Sequence, residues 1–264
     1  MLHCEKQERE DMDARDKSLD DLPEHKFVVN GRGRYHFDKT ELWVDPIVGG
    51  GWVWEGAILN NIERWLAPHK AEPFTIIDAG AHVGFHTVAY GNMFPAAVVE
   101  AFEPQRNLLE YLHVNINENG LTDRVNVHEC AVGHVALSNV TIQDTPPNRH
   151  HGGRQLGTGT RSFPMITVDS LNLQNVKFMK IDVEGAESLV IFGAMETIAR
   201  CLPIIVAENN EQVITQDMIK VLGLGPEMVH FNYGAFLTSL GYKKIGRVHM
   251  DDCWAATPIS VTQY

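Results

Sequence analysis

Five short apolar, β-branched runs recur between residues 74 and 208: Phe74–Asp78, Ala97–Glu103, Val125–Glu129, Lys177–Asp182 and Pro203–Glu208. Each closes on a carboxylate. Helical patterns over Gly84–Asn92, Gln105–Asn117 and Ala186–Ala199 lie between them. This alternation constrains the fold more than any other feature, because strands joined through helices run parallel and are covered on both faces. The prediction is an α/β, Rossmann-like domain. Beyond it, a helix over Tyr233–Leu240, a turn at Gly241 and strands at Tyr242–Val248 and Cys253–Ala256 predict a terminal antiparallel hairpin.

The flanks read differently. Residues 1–25 are rich in both charge signs and poor in apolar side chains, which predicts a tail or helix outside the core. Residues 26–264 form one domain, with 26–70 an N-terminal extension that contributes to the site. Within it, 26–45 predict short strands about a glycine turn, and I-V-G-G-G-W-V-W-E-G leads into a helix over Ala57–Leu66. An insertion at 133–168 places T-P-P-N-R-H-H-G-G-R-Q-L-G-T-G-T between strands Ser138–Gln143 and Arg161–Val168. Loops of that length are often functional.

Composition excludes several classes. The net charge of −12 disfavours a nucleic-acid partner, which needs a basic surface. The apolar runs are too short to span a bilayer and the N-terminus lacks an apolar signal core, so no membrane partner and a cytoplasmic location are expected. Cys4, Cys130, Cys201 and Cys253 form no C-x-x-C pair, which argues against zinc and suits a reducing compartment.

The segment D-A-G-A-H-V-G, Asp78 to Gly84, falls where open α/β sheets bind ligands, beyond a strand's carboxyl end. Gly80 permits a tight turn, and Gly84 lets helix or ligand approach closely. A dinucleotide would want G-x-G-x-x-G, but the middle glycine is missing and Asp78 would repel a pyrophosphate. S-adenosylmethionine carries an ammonium and a sulfonium instead, which a carboxylate stabilises, and the loop's N–H groups could take its carboxylate. Glu103, about 20 residues on, can accept both ribose hydroxyls, or can simply punctuate a helix start. His82 backs the cofactor. Glu129, Cys130 and Ala131 are placed to flank the adenine, or are a plain strand end.

The stretches I-I-D-A-G-A-H-V-G-F-H-T-V, A-F-E-P-Q-R-N-L-L-E-Y-L-H-V-N-I-N-E-N, F-M-K-I-D-V-E-G-A-E-S-L-V-I-F-G-A and P-I-I-V-A-E resemble the FkbM-type methyltransferases. The resemblance runs from Trp52 to Glu208, and K-I-D-V-E-G-A-E is its most specific piece. It implies the class I methyltransferase fold, with a seven-stranded sheet and a final antiparallel hairpin. It implies S-adenosylmethionine at Asp78, Gly80 and Glu103, and a cofactor role for G-W-V-W-E-G, with Glu55 near the methionine end. It also implies O-methylation of a sugar or similar hydroxyl, so a small-molecule or glycan acceptor. N-methylation of a small molecule or protein and a non-catalytic cofactor-binding subunit are the alternatives. A homodimer is compatible with the sequence.

Transfer to an alcohol needs a base or a metal. Asp182 and Glu208 end adjacent strands and should point into the cleft, Asp182 beside the cofactor. With Asn209 they could hold Mg2+ or Mn2+. The bland alternative has Asp182 and Glu184 shape a turn and Glu187 favour a helix N-terminus. His86 could be a base kept neutral by a helix dipole, or a packed histidine. His230 could line the acceptor side. The R-H-H-G-G-R segment suggests a lid over 148–158, with Arg149, Arg154 or Arg161 on the acceptor; a solvated loop containing His150 and His151 is the alternative.

Overall fold

The computed structural model describes residues 18–40, 45–144, 153–209, 214–257 and 259. The chain opens with strands β1 (His25–Asn30) and β2 (Gly33–Asp38) and helix α1 (Gly56–Leu66). Then come β3 (Phe74–Ala79), α2 (Phe85–Met93), β4 (Ala97–Phe102), α3 (Arg106–Glu118) and β5 (Val125–His128). An insertion of β6 (Ala131–Val132), β7 (Leu137–Ile142) and β8 (Arg161–Ile166) precedes β9 (Val176–Ile181), α4 (Glu187–Phe192), α5 (Met195–Cys201) and β10 (Ile204–Glu208). The chain closes with α6 (Gln216–Leu222), α7 (Pro226–Val229), α8 (Tyr233–Ser239), β11 (Lys243–Val248) and β12 (Asp251–Ala255).

Seven strands form one sheet in the order β11-β12-β10-β9-β3-β4-β5. Neighbours are parallel except β12, which runs antiparallel to both β10 and β11. The expected terminal hairpin is therefore part of the sheet's edge. Central strands β3, β4 and β9 are buried along almost their whole length, as parallel strands covered on both faces must be. One face packs on α1, α2 and α3, the other on α4, α5 and α8. The β6–β8 insertion has its own core with α4, α6 and α7.

The N-terminal hairpin is held to this frame by Asn115, which is fully buried on α3. Its amide accepts from the His36 N–H and donates to the carbonyls of His36 and Val83. The core reaches further back than composition suggests, since Leu22 is buried in it; the rest of the expected tail, up to residue 17, lies outside the described residues.

The helix expected over Ala186–Ala199 is two helices. An added Cβ at Gly193 would sit 1.9 Å from the Gly133 carbonyl, so the insertion's backbone presses on the break. The Gly193 carbonyl accepts from Asp169 N–H, and the Asp169 carboxylate takes the N–H groups of Glu196 and Thr197. A new helix therefore starts from a carboxylate remote in sequence. Among the described residues no helix is long and apolar enough to cross a membrane.

Candidate functional site

The carboxyl ends of β3, β4, β9 and β10 deliver Asp78, Glu103, Asp182 and Glu208 to one rim of the sheet. A crevice of about 540 Å³, open solvent included, lies there between Gly80, Glu103, Cys130, Arg154, Leu156 and Asp182.

Gly80 has φ +87°, and a Cβ on it would fall 1.8 Å from the Asp182 carbonyl. The glycine is required because the end of β9 crosses directly over the loop. Gly84 (φ +92°) meets the Leu112 side chain of α3 instead, so its role is helix packing. The loop's N–H groups are engaged within the protein. Gly80 and Ala81 donate to the Phe102 carbonyl, His82 to Glu103, and Gly84 to the Ala81 carbonyl. The expectation that these groups would take a ligand carboxylate is thus corrected at these four positions: the Phe102 carbonyl, the Glu103 carboxylate and the loop's own Ala81 carbonyl already take them.

Glu103 is buried, and its two oxygens accept from the N–H groups of Gln105 (2.9 Å) and His82 (3.0 Å). A carboxylate has about four acceptor positions, so each oxygen keeps capacity for a further donor. Burial pushes its pKa up to about 7, against the pull of those two backbone donors. His82 stands at φ +54° to aim its N–H, while its ring stacks on Phe85 away from the crevice. Cys130 and Ala131 line the crevice as expected. Glu129 does not share their position: its carboxylate meets His113 of α3 at 3.2 Å.

Beside the crevice lies a buried ionic cluster that the sequence reading missed. Lys180, on β9 and 1% exposed, reaches Asp251 of β12 at 2.9 Å, Asp182 at 3.0 Å and Glu55 at 3.7 Å. Burial opposes its charge, but Asp182, Asp251 and Glu55 outweigh it and hold the pKa well above the ordinary value. Desolvation likewise pushes Asp182 up, and the Lys180 ammonium overrides it and keeps the carboxyl below its ordinary range. One signal for Lys180 was available: a lysine inside the apolar run F-M-K-I needs a buried partner. Its partner Asp251 was not legible, because D-D reads as a turn, whereas here both aspartates belong to β12.

Asp78 is 1% exposed and accepts from the Thr87 hydroxyl; burial raises its pKa, offset by His86, Thr87 and Lys180. It acts on the rim from beneath. Glu55 begins α1 at φ +45° and places its carboxylate 3.3 Å from His86 Nε2. Burial raises Glu55 as well, partly countered by Lys180. His86 is buried and stacked on Tyr90. Its pKa falls to about 4, through burial first and Lys180 second, so burial rather than a helix dipole accounts for its neutrality.

The Glu208 carboxyl lies beside Asp182 and helps to hold its pKa down. Carboxylate oxygens of Asp182, Glu184 and Glu208 all lie within 4.8 Å of one another. The third member of the acidic group is thus Glu184, held at φ +56° with its pKa raised by burial to about 7. The Asn209 amide donates to Asp252 of β12 at 2.8 Å. Glu187 accepts the N–H groups of Val183 and Gly185, and so shapes the turn into α4.

Of the loop residues expected over the acceptor, Arg149, His150 and His151 lie outside the described residues. Arg154 is in the crevice near Glu103, and Arg161 reaches Asn107 on α3. His230 is exposed at the end of α7.

The Methyltransferase FkbM domain model matches residues 78–243. No curated protein matches the chain. Among solved structures, a methyltransferase FkbM from Methylobacillus flagellatus KT aligns at TM-score 0.47 and 20% identity, over 69% of this chain and 43% of that one. M. jannaschii TYW2 in complex with AdoMet aligns at 0.40 and 12%, over 88% and 86%. A precorrin-6y C5,15-methyltransferase from Geobacter metallireducens GS-15 aligns at 0.37 and 14%, over 72% and 84%. All three likenesses are distant.

Proposed function

The chain belongs to the methyltransferase FkbM domain family, and from that premise we propose that it uses S-adenosylmethionine to methylate a hydroxyl of a sugar, glycan or similar polyol. The observation that carries the cofactor choice is the state of the glycine loop. With the N–H groups of Gly80, Ala81, His82 and Gly84 engaged by protein acceptors, the loop does not offer them as the backbone cradle that a pyrophosphate needs. Around it stand Glu55, Asp78, Asp182 and Glu208 with the buried ammonium of Lys180, an arrangement suited to a cationic ligand.

The residues present fit that cofactor. Glu103 keeps acceptor capacity for ribose hydroxyls, and Cys130 and Ala131 offer a small apolar wall for adenine. Glu55, Asp78 and Asp182 supply negative charge toward the methionine end. When bound, the cofactor supplies an electrophilic methyl group on a sulfonium.

The chain's own part in the chemistry is positioning and proton removal. Asp182 is ionised by Lys180 and touches Glu208, so this pair is the proposed acceptor of the hydroxyl proton. His86 is neutral and packed between Glu55 and Tyr90. Transfer of labelled methyl from S-adenosylmethionine onto nucleotide sugars and oligosaccharides tests the reading. Incorporation that Asp182→Asn abolishes supports a base at Asp182; labelling of amines that tolerates this change would favour N-methylation. Cofactor binding with no transfer to any acceptor, unaffected by changes at Asp182 and Glu208, would favour a non-catalytic subunit.

A metal-assisted variant is favoured by one observation, the proximity of Asp182, Glu184 and Glu208. Oxygen donors of this kind suit Mg2+ or Mn2+, which would lower the acceptor hydroxyl's pKa. Lys180 already compensates Asp182, however, so the donor set fits only in part. Full activity after EDTA dialysis would exclude this variant.

A further inference from the structure

Arg154 comes from the insertion rather than from the sheet. It is 8% exposed, and among the described residues its Nε and Nη1 have no hydrogen-bond partner. A buried guanidinium in that state is costly unless something completes it. The segment that carries it is fixed. Gln143 N–H donates to the Gln155 carbonyl, Gly157 N–H donates to the Thr141 carbonyl, and Thr158 is held by Asp217. Arg154 is thereby held against the crevice. Glu103 and Asp144 act on it electrostatically, yet among the described residues it forms no ion pair with either.

The crevice wall of Pro104, Gln105 and Ile142 is shared with a wide groove that runs on past Asn107 and Arg161. This groove lies over the start of α3, a helix of 13 residues with no acid in its first turn and no side-chain cap. Such a helix start favours an anion. Arg161 stands at the same place. It is exposed, its guanidinium reaches Asn107 at 3.4 Å, and its charge opposes that of Arg154. Asp144 acts on both arginines, but its Oδ1 already takes the Thr160 N–H and hydroxyl. Glu110 is the acid on the groove itself, a turn further along α3.

We propose that the junction of crevice and groove is an oxyanion site, which takes a phosphate or carboxylate group of the methyl acceptor between Arg154, Arg161 and the start of α3. An oxyanion compensates both guanidiniums, whereas a neutral hydroxyl leaves their charges as they stand. The acceptor class that follows is a sugar or similar polyol bearing an acidic group. This rests on the methyltransferase reading above.

The test uses inorganic phosphate and acetate as probes. Each is titrated calorimetrically into the full chain, with and without saturating S-adenosylhomocysteine, for wild type, Arg154→Met, Arg161→Met and Arg32→Met. Arg32 is the control, because Glu63 pairs it at 2.8 Å. With S-adenosylhomocysteine bound, wild type should take one probe at a saturable site. Tighter phosphate binding points to a phosphorylated acceptor and tighter acetate binding to a carboxylated one. Arg154→Met and Arg161→Met should each weaken that binding about tenfold or more, and Arg32→Met should leave it level. The ligand-free Tm of Arg154→Met should stay level or rise, because an uncompleted buried charge has been removed; Arg161→Met, at an exposed position, should keep the wild-type Tm. Binding of neither probe, or equal binding by wild type and either variant, would overturn the proposal and leave the cofactor reading intact. A probe that binds only without S-adenosylhomocysteine would lie in the cofactor's own space and overturn the acceptor assignment. Failure of S-adenosylhomocysteine itself to bind wild type would overturn the cofactor reading, while probe binding lost in both variants would still support the oxyanion site.

Discussion

At the scale of single residues, Lys180 and Glu103 do different work with buried charge. Lys180 is enclosed by Asp251, Asp182 and Glu55, so removing it leaves acids without compensation. Lys180→Met should cost about 3–5 kcal/mol in urea unfolding, and adding Asp251→Asn should recover part of it. A loss below about 1 kcal/mol would mean that the cluster is not held together by this ammonium. Glu103 has its pKa raised by burial to about 7. Between its ordinary range near 4.5 and about 7, the folded protein holds a proton that the unfolded chain has released. Its contribution to stability is thus present at low pH and declines as pH rises through that window. Ligand binding has the opposite sign, because ribose hydroxyls need the ionised acceptor. Affinity for S-adenosylhomocysteine should fall by about tenfold per unit below pH 7, and Glu103→Gln should flatten that slope. A wild-type profile flat from pH 5 to 8 would contradict this role.

At the scale of elements, the parallel strands were legible because each is a short apolar run closing on an acid, and the central ones are buried on both faces. The observed ends fall within a residue or two of those expected, as at β4 and β10. Other features depended on contacts between distant segments. The break between α4 and α5 needs Gly133 and Asp169, which nothing in the local pattern of 186–199 reveals. The placement of Arg154 depends on the pairing of 155–157 with β7, where the sequence shows only a polar loop. Glu55, His82 and Glu184 all stand at positive φ, a strained state clustered at the site that propensity does not anticipate. The glycines separate by what surrounds them. Gly120, at φ +65° with open space around it, should tolerate alanine at about 1–2 kcal/mol. Gly80→Ala drives a methyl into the Asp182 carbonyl and should abolish soluble folded protein or ligand binding. Normal thermal unfolding and binding in Gly80→Ala would show that β9 does not cross the loop as described.

At the scale of the whole molecule, the sheet sets the division of labour. On the proposed cofactor reading, the β4–β5 side with the insertion would take the nucleoside, and β9, β10 and β12 with α1 supply the acidic half. Glu55 and Lys180 therefore join the N-terminal extension to the sheet, and Arg154 joins the insertion to the same crevice. Ligand should stabilise the assembly as a unit. At about 100 times Kd the gain is about 2.7 kcal/mol, which for a domain of this size raises Tm by about 5–10 °C. The sequence pointed to the crevice through its strand-end acids. It could not show which acids line the crevice and which act from behind, because that depends on how β12 and α1 close around Lys180.

Titration calorimetry with S-adenosylmethionine beside NAD+ tests the central claim, that this crevice holds a cationic methyl donor. The account expects one saturable site for S-adenosylmethionine, lost in Glu103→Ala, and no heat from NAD+. Saturable NAD+ binding, or no S-adenosylmethionine binding to the folded protein at neutral pH, would contradict it.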